Sequence, residues 1–140
     1  MAARGPGPAE ALVRVEAIGV NFIEVYQRMG LYPQPLPFTP GGEGAGTVEA
    51  VGANVAQFKP GDEVFGARNG AFAEYVTVRE AMLVRKPENV TFEQAAGVPI
   101  AGLTALQAVR DKAKIQPGQR VLINGASGGV GTFAVQIANA

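Results

Sequence analysis

Residues 121–131, Val-Leu-Ile-Asn-Gly-Ala-Ser-Gly-Gly-Val-Gly, lead an apolar run into a glycine-rich turn and then into a helical pattern. Strand, glycine turn and helix in that order open a dinucleotide-binding βαβ unit. A diphosphate is anionic and must approach the backbone closely. Glycine removes the Cβ obstruction and permits positive φ, and a helix N-terminus aims free N–H groups and a positive dipole end at the ligand. On this reading Gly128 allows the close approach and Gly131 lets the helix pack on the strand. Ser127, Gly129 and Val130 fill the turn, and Ala126 stands where G-x-G-x-x-G has its first glycine, with Gly125 just before it. The turn is not a P-loop, because no lysine follows the glycines. The plainer alternative is a strand-to-helix turn that needs small residues for its own geometry. A second strand, which would carry the acidic or basic selector for the cofactor ribose, does not follow, so the residues leave NADPH and NADH both open.

Composition narrows the remaining chemistry. The 140 residues contain no cysteine and no histidine. Disulfides are therefore impossible, zinc loses its usual ligands, and Ser-His or Cys-His nucleophilic machinery is excluded. Proton transfer falls to tyrosine, lysine, carboxylate, water or substrate. Lys plus Arg and Asp plus Glu number 12 each, so the formal charge is zero, and no basic block suggests nucleic acid or a membrane surface. No apolar run reaches the length of a membrane span and no signal core is visible, which makes a cytoplasmic setting the simplest expectation.

The elements that must position these groups are punctuated by Gly and Pro. Residues 1–10 read as a loose arm. Ala11 to Ile18 alternates, with Val13, Val15 and Ala17 on one side and Arg14 and Glu16 on the other, which predicts a half-buried strand. Asn21 to Met29 reads as a short helix, N-capped by Asn21 and ended by Gly30. Pro33, Pro35, Pro37 and Pro40 make 31–40 an extended loop. Short strands are expected near 44–51, 62–66, 71–78 and 82–85, with Lys59-Pro-Gly-Asp62 as a type II turn, so a small barrel or sandwich follows. Thr91 to Gln94 is a capping-box pattern; a helix begins there and breaks near Pro99, and another runs from Ala101 to Lys112. A turn at Gln116-Pro-Gly-Gln119 launches a strand over 119–124. The expected class is thus α/β, a β-rich part followed by the start of a parallel-sheet part. Leu122, Ile123, Phe133, Val135 and Ile137 want cover on both faces of such a sheet, so this tail should be sticky or weakly ordered.

Six stretches in order carry a resemblance: GVNFIEVYQRMGLYP (19–33), TPGGEGAGTVEAVG (39–52), FKPGDEVFG (58–66), GAFAEYVTV (70–78), FEQAAGVPIAGLTA (92–105) and VLINGASGGVG (121–131). On these the chain resembles the quinone oxidoreductase (zeta-crystallin-like) branch of the zinc-independent medium-chain dehydrogenase/reductase superfamily. The resemblance implies a GroES-like β-barrel catalytic domain, here residues 1–100, followed by the first β-α of a Rossmann fold over 101–140. The family pattern extends further at both ends, so the chain resembles an internal fragment, expected to be inactive alone. The implied activity is zinc-independent transfer of hydride from NADPH, with NADH still possible, to quinones or α,β-unsaturated carbonyls, in a homodimer. Zinc-dependent relatives carry His at the position of Gly42 and Cys at that of Asn21.

The same resemblance places Asn21 near the nicotinamide and makes Tyr32 the donor or substrate clamp, so these two are the catalytic candidates. Asn21, Tyr26, Thr104 and the turn Ala126, Ser127, Gly128, Gly129, Val130 and Gly131 are the cofactor candidates; no metal ligand is expected. Competing readings are an N-cap for Asn21, a packing aromatic for Tyr26 and a helix-bonded hydroxyl for Thr104. Glu43 is expected to bond backbone or a buried arginine, Glu24 to be a solvated helix residue, and Tyr75 to belong to the core. An enoyl-reductase domain of a polyketide synthase and a non-catalytic barrel module are the alternative functions.

Overall fold

A computed structural model describes residues 5–140. The chain divides into two compact units, one ending at Pro99 and one spanning Ile100–Ala140. The first unit holds β1 (Glu10–Ile18), α1 (Phe22–Arg28), β2 (Glu43–Val51), β3 (Glu63–Ala67), β4 (Tyr75–Arg79), β5 (Leu83–Arg85) and α2 (Phe92–Ala96). Its strands form one antiparallel sheet in the order β4-β1-β2-β3-β5. The predicted alternation of β1 is realised: Ala11 and Val13 are buried, and they join Val48, Phe58, Val64, Val78 and Leu83 in the main core. A second cluster, Ala45, Ala95 and Ala96 with Ala17, Phe65, Val90 and Phe92, seats α2 on the sheet. Small alanines let that helix approach closely, while each buried apolar side chain contributes roughly 25 cal/mol per Å² removed from water.

Local signals explain the connections. Gly61 takes φ +92°, and Asp62 N–H donates to Lys59 C=O at 3.1 Å, which closes the expected turn into β3. Thr91 caps α2 through its hydroxyl (Gln94 N to Oγ1, 3.2 Å), and Gln94 Oε1 accepts from Thr91 N–H at 3.0 Å. The Lys86 ammonium reaches Val90 C=O at 2.7 Å and Glu63 at 2.9 Å, tying the segment before α2 to the sheet.

Three expectations about this unit are corrected. The N-terminal arm is tied down over its described part, since Asn54 N–H donates to Pro8 C=O at 2.8 Å and Gly7 N–H to Glu10 Oε2 at 3.0 Å; residues 1–4 lie outside the described residues. The strand expected from Ala71 begins only at Tyr75, because Phe72 turns back over Gly41 and its N–H donates to Pro40 C=O at 3.0 Å. Tyr75 is not core: it stands opposite Arg14 and is 40% exposed.

The second unit holds α3 (Pro99–Leu106), which begins before its boundary and continues as a π-helical turn over Gln107–Lys112, and α4 (Gly129–Ala138). The break expected near Pro99 falls at 97–98, and proline opens α3 two residues before the expected Ala101, in keeping with its tolerance in a first helical turn, where its missing N–H has no partner to lose. The strand expected over 119–124 is absent. A strand exists only by its ladder, and no described segment pairs with these residues. Leu122 is consequently 87% exposed.

Candidate functional site

Asn21 precedes α1, and Glu24 at the third helical position reaches back to it: Asn21 N–H donates to Glu24 Oε2 at 2.7 Å, the return arm of a capping box. The other oxygen of the same carboxylate accepts from Gly42 N–H at 3.1 Å. Glu24 is therefore not a solvated residue. It is 6% exposed and bridges two backbone segments, α1 and the approach to β2. Burying a carboxylate is costly unless its oxygens are satisfied by donors, and the two N–H groups meet that need.

Glu43, the first residue of β2, is buried at 2% exposure, and Asn21 Nδ2 donates to its Oε1 at 2.7 Å. Glu43 was expected to bond backbone or a buried arginine; the Asn21 amide is a side-chain partner that expectation did not name. Gly19 makes room for this carboxylate, since a Cβ there would run into Glu43 Oε1. Positions 21 and 42, where the resemblance puts metal ligands in zinc-dependent relatives, are joined by the Glu24 carboxylate, with Glu43 holding the Asn21 side chain.

Tyr26 and Tyr32 are brought together. Tyr26 lies on α1, and the chain folds back over it through bonds from Leu31 and Tyr32 N–H to Tyr26 C=O at 2.9 and 3.3 Å. The two rings meet edge to face at 5.6 Å between centroids, and Phe22 stacks tilted on Tyr26 at 6.0 Å. Tyr32 is half exposed and Tyr26 36% exposed, so the pair is an open aromatic surface rather than core.

The remaining candidates lie in the second unit. Thr104 is exposed, and its hydroxyl donates to Ile100 C=O at 2.7 Å within its own helix. That is the local alternative named for it, and the exposed face of the side chain stays accessible. In the glycine turn Gly125 adopts φ +70°, and Gly128 N–H donates to Gly125 C=O at 3.0 Å. Thr132 N–H to Gly128 C=O, 2.9 Å, is the first helical bond of α4. The N–H groups of Gly129, Val130 and Gly131 come before the bonded ladder begins, as the opening turn of any helix requires. Residues 125–130 are exposed and Gly131 is buried; a Cβ on Gly131 would collide with Gly125 C=O and the Ala126 backbone. Gly131 is thus required by the turn itself, while the outer face at Ala126 and Ser127 lies open to an anion.

Sequence reasoning missed the Glu24 bridge. The Asn-x-x-Glu spacing could have signalled its return to Asn21, a reading not made for it, but nothing local signals Gly42, which lies 18 positions further along.

An antiparallel sheet capped by α2, with an approach loop locked by buried carboxylates, defines a GroES-like domain. The chain belongs to the alcohol dehydrogenase GroES-like domain family, matched over residues 7–88. It is 49% identical over 138 residues to a quinone oxidoreductase of Pseudomonas aeruginosa, covering 96% of this chain and 42% of that protein. It is 44% identical over 132 residues to the pikromycin polyketide synthase component PikAII of Streptomyces venezuelae, covering 94% of this chain and 4% of that protein. Among solved structures, a Pseudomonas syringae quinone oxidoreductase matches at 45% identity and TM-score 0.90, covering 99% of this chain and 43% of the other. An Escherichia coli quinone oxidoreductase complexed with NADPH matches at 38% identity and TM-score 0.92, covering 99% and 44%. The chain therefore spans about two-fifths of the length of the quinone oxidoreductases it matches. Among the described residues no helix is long and apolar enough to cross a membrane.

Proposed function

We propose that the whole protein is a zinc-independent oxidoreductase that moves hydride from NADPH to quinones or α,β-unsaturated carbonyls. The observation that carries this reading is the open turn at the head of α4. There the N–H groups of residues 129–131 precede the helical ladder on an exposed, Cβ-poor surface suited to a diphosphate. The likeness to a quinone oxidoreductase solved with NADPH supports the same reading. NADH would seat on this turn equally well.

The bound nicotinamide supplies the hydride. The chain's own groups bind, orient and polarise. Ala126 to Gly131 hold the diphosphate. Tyr32 donates to the substrate oxygen on which negative charge accumulates, a role in which a placed donor lowers the barrier. Tyr26 braces Tyr32 by the edge-to-face contact. Asn21 and Thr104 border the nicotinamide. Asn21 enters this role with one amide donor already committed to Glu43, which favours positioning over direct polarisation. Residues 1–100 act as the catalytic domain and 101–140 as the start of the cofactor domain, in a cytoplasmic homodimer.

The test is spectrophotometric: purified whole protein should oxidise NADPH when a simple quinone or an enone is added. No turnover with either acceptor would overturn the reading. The 44% identity to PikAII supports a second reading, an enoyl reductase acting on a carrier-bound enoyl thioester. Faster turnover of an enoyl thioester than of any quinone would favour it.

A further inference from the structure

A cleft in the first unit is lined by Gly42, Ala67, Arg68, Asn69, Arg79 and Met82. Its floor is fixed by backbone bonds: Arg68 N–H donates to Gly42 C=O and Gly70 N–H to Gly41 C=O, both at 2.9 Å. The root of Arg68 is thereby held against Gly42, the residue whose own N–H is taken by Glu24.

Among the described residues, three arginines are paired with acids, and the two of this cleft are not; Arg28 and Arg120 are also outside the ion pairs, but only Arg68 and Arg79 line a common cleft. Arg14 pairs with Glu16 and Glu49, Arg85 with Asp62, and Arg110 with Asp111. Arg68 and Arg79 are exposed, and their guanidinium groups have no carboxylate partner among the described residues. The carboxylates nearest in chain or ladder are already engaged. Glu10, opposite Arg79 across the β1–β4 ladder, accepts from Gly7 N–H. Glu80, the next residue after Arg79, accepts from Ala56 and Gln57 N–H. Glu43, the next after Gly42, holds Asn21. In a chain with equal numbers of acids and bases, two arginines without a carboxylate partner line one cleft whose lining contains no acid.

We infer that this cleft is an anion subsite that takes a carboxylate carried by the electrophilic substrate. A guanidinium matches a carboxylate through two parallel N–H donors, and the Asn69 amide can serve a remaining lone pair. The Met82 wall suits the apolar portion beside such a group. Calling the ligand a substrate rests on the proposed reductase function; the anion subsite itself does not.

The experiment follows arginine Nε–H resonances of the 15N-labelled 140-residue chain during titration with succinate at constant ionic strength, with succinamide as the uncharged counterpart. Arg68 and Arg79 should shift along a saturating curve with succinate only, while Arg14, Arg28 and Arg85 stay put. Arg68→Gln should weaken the fitted affinity about tenfold, and Arg68→Lys should recover part of it, because the charge returns without the fork. Equal, non-saturating shifts at every exposed arginine would overturn the subsite. In the whole protein, the ratio of kcat/KM for a carboxylated enone to that for its carboxamide analogue should fall about tenfold in Arg68→Gln. An unchanged ratio would overturn the link to substrate choice. A whole protein that turns over neither compound, alongside saturable succinate binding by the chain, would sink the reductase reading and leave the subsite standing.

Discussion

Replacing Glu24 by alanine should be among the costliest single changes in the first unit. The side chain is 6% exposed, and its two oxygens receive Asn21 N–H at 2.7 Å and Gly42 N–H at 3.1 Å. Truncation leaves both backbone donors without an acceptor in a partly buried setting, at about 1–3 kcal/mol each. Water entering the vacated space recovers some of that, and the desolvation cost of the carboxylate disappears with it. The expected loss is about 2–4 kcal/mol. For a unit of this size, with a urea slope near the low end of 1–3 kcal/mol per molar, the midpoint should fall by roughly 2 M.

Intrinsic fluorescence isolates the event. The chain has no tryptophan, and its three tyrosines, Tyr26, Tyr32 and Tyr75, all lie in the first unit. Glu24→Gln keeps the volume but offers one acceptor oxygen to two donors and turns an NH2 toward one of them. It should recover less than half of the loss. A midpoint for Glu24→Ala within a few tenths of a molar of the parent, or a Gln variant as stable as the parent, would refute the bridging argument.

Two further outcomes are expected. Gly131→Ala should weaken NADPH binding by the whole protein at least about tenfold, roughly 1.4 kcal/mol, because the new Cβ meets Gly125 C=O. Gly125→Ala, whose Cβ meets nothing but whose φ is +70°, should weaken that binding less, its strain of about 1–2 kcal/mol falling on folding stability; a fluorescence titration of NADPH against both variants decides. The Asp62 carboxyl is held below its ordinary value of 3.8 by hydrogen bonding from Arg85 first and Lys59 N–H next. A depressed folded-state pKa means that its stabilisation is present above 3.8 and is lost as the pH falls through the lower, folded value. Asp62→Asn should therefore flatten part of the acid limb of the urea-midpoint profile below about pH 4, and identical acid limbs for the two proteins would contradict the pairing.

Features that one short stretch of chain decides were legible in advance. The alternation of Ala11 to Ile18, the Thr91–Gln94 cap and the Pro-Gly turn before Asp62 each rest on contacts within a few residues, so residue type and spacing suffice to state them. The glycine turn belongs with them. Its φ and its intolerance of a Cβ at Gly131 arise inside the seven residues 125–131. The misreadings share the opposite character. Glu24 looked like an ordinary first-turn acid because its second partner, Gly42, is remote in sequence. Tyr75 looked like core because period-two patterning does not say which face of an edge strand is covered. Residues 119–124 have a strand's composition without its ladder.

By itself, the sequence determined that these 140 residues supply no histidine or cysteine for chemistry, that α4 begins on a glycine-rich turn, and that Asn21 opens a helix with an acid three residues on. Those follow from side-chain inventory and from backbone preferences that act locally. Tertiary structure alone decided that Glu24 and Glu43 are buried partners of the Asn21–Gly42 region, that Tyr26 and Tyr32 face each other, and that Arg68 and Arg79 share a cleft while nearby carboxylates are engaged elsewhere. A hydrogen bond or an unneutralised charge is a property of what the fold brings within reach, and for these residues the partners come from other elements of the chain.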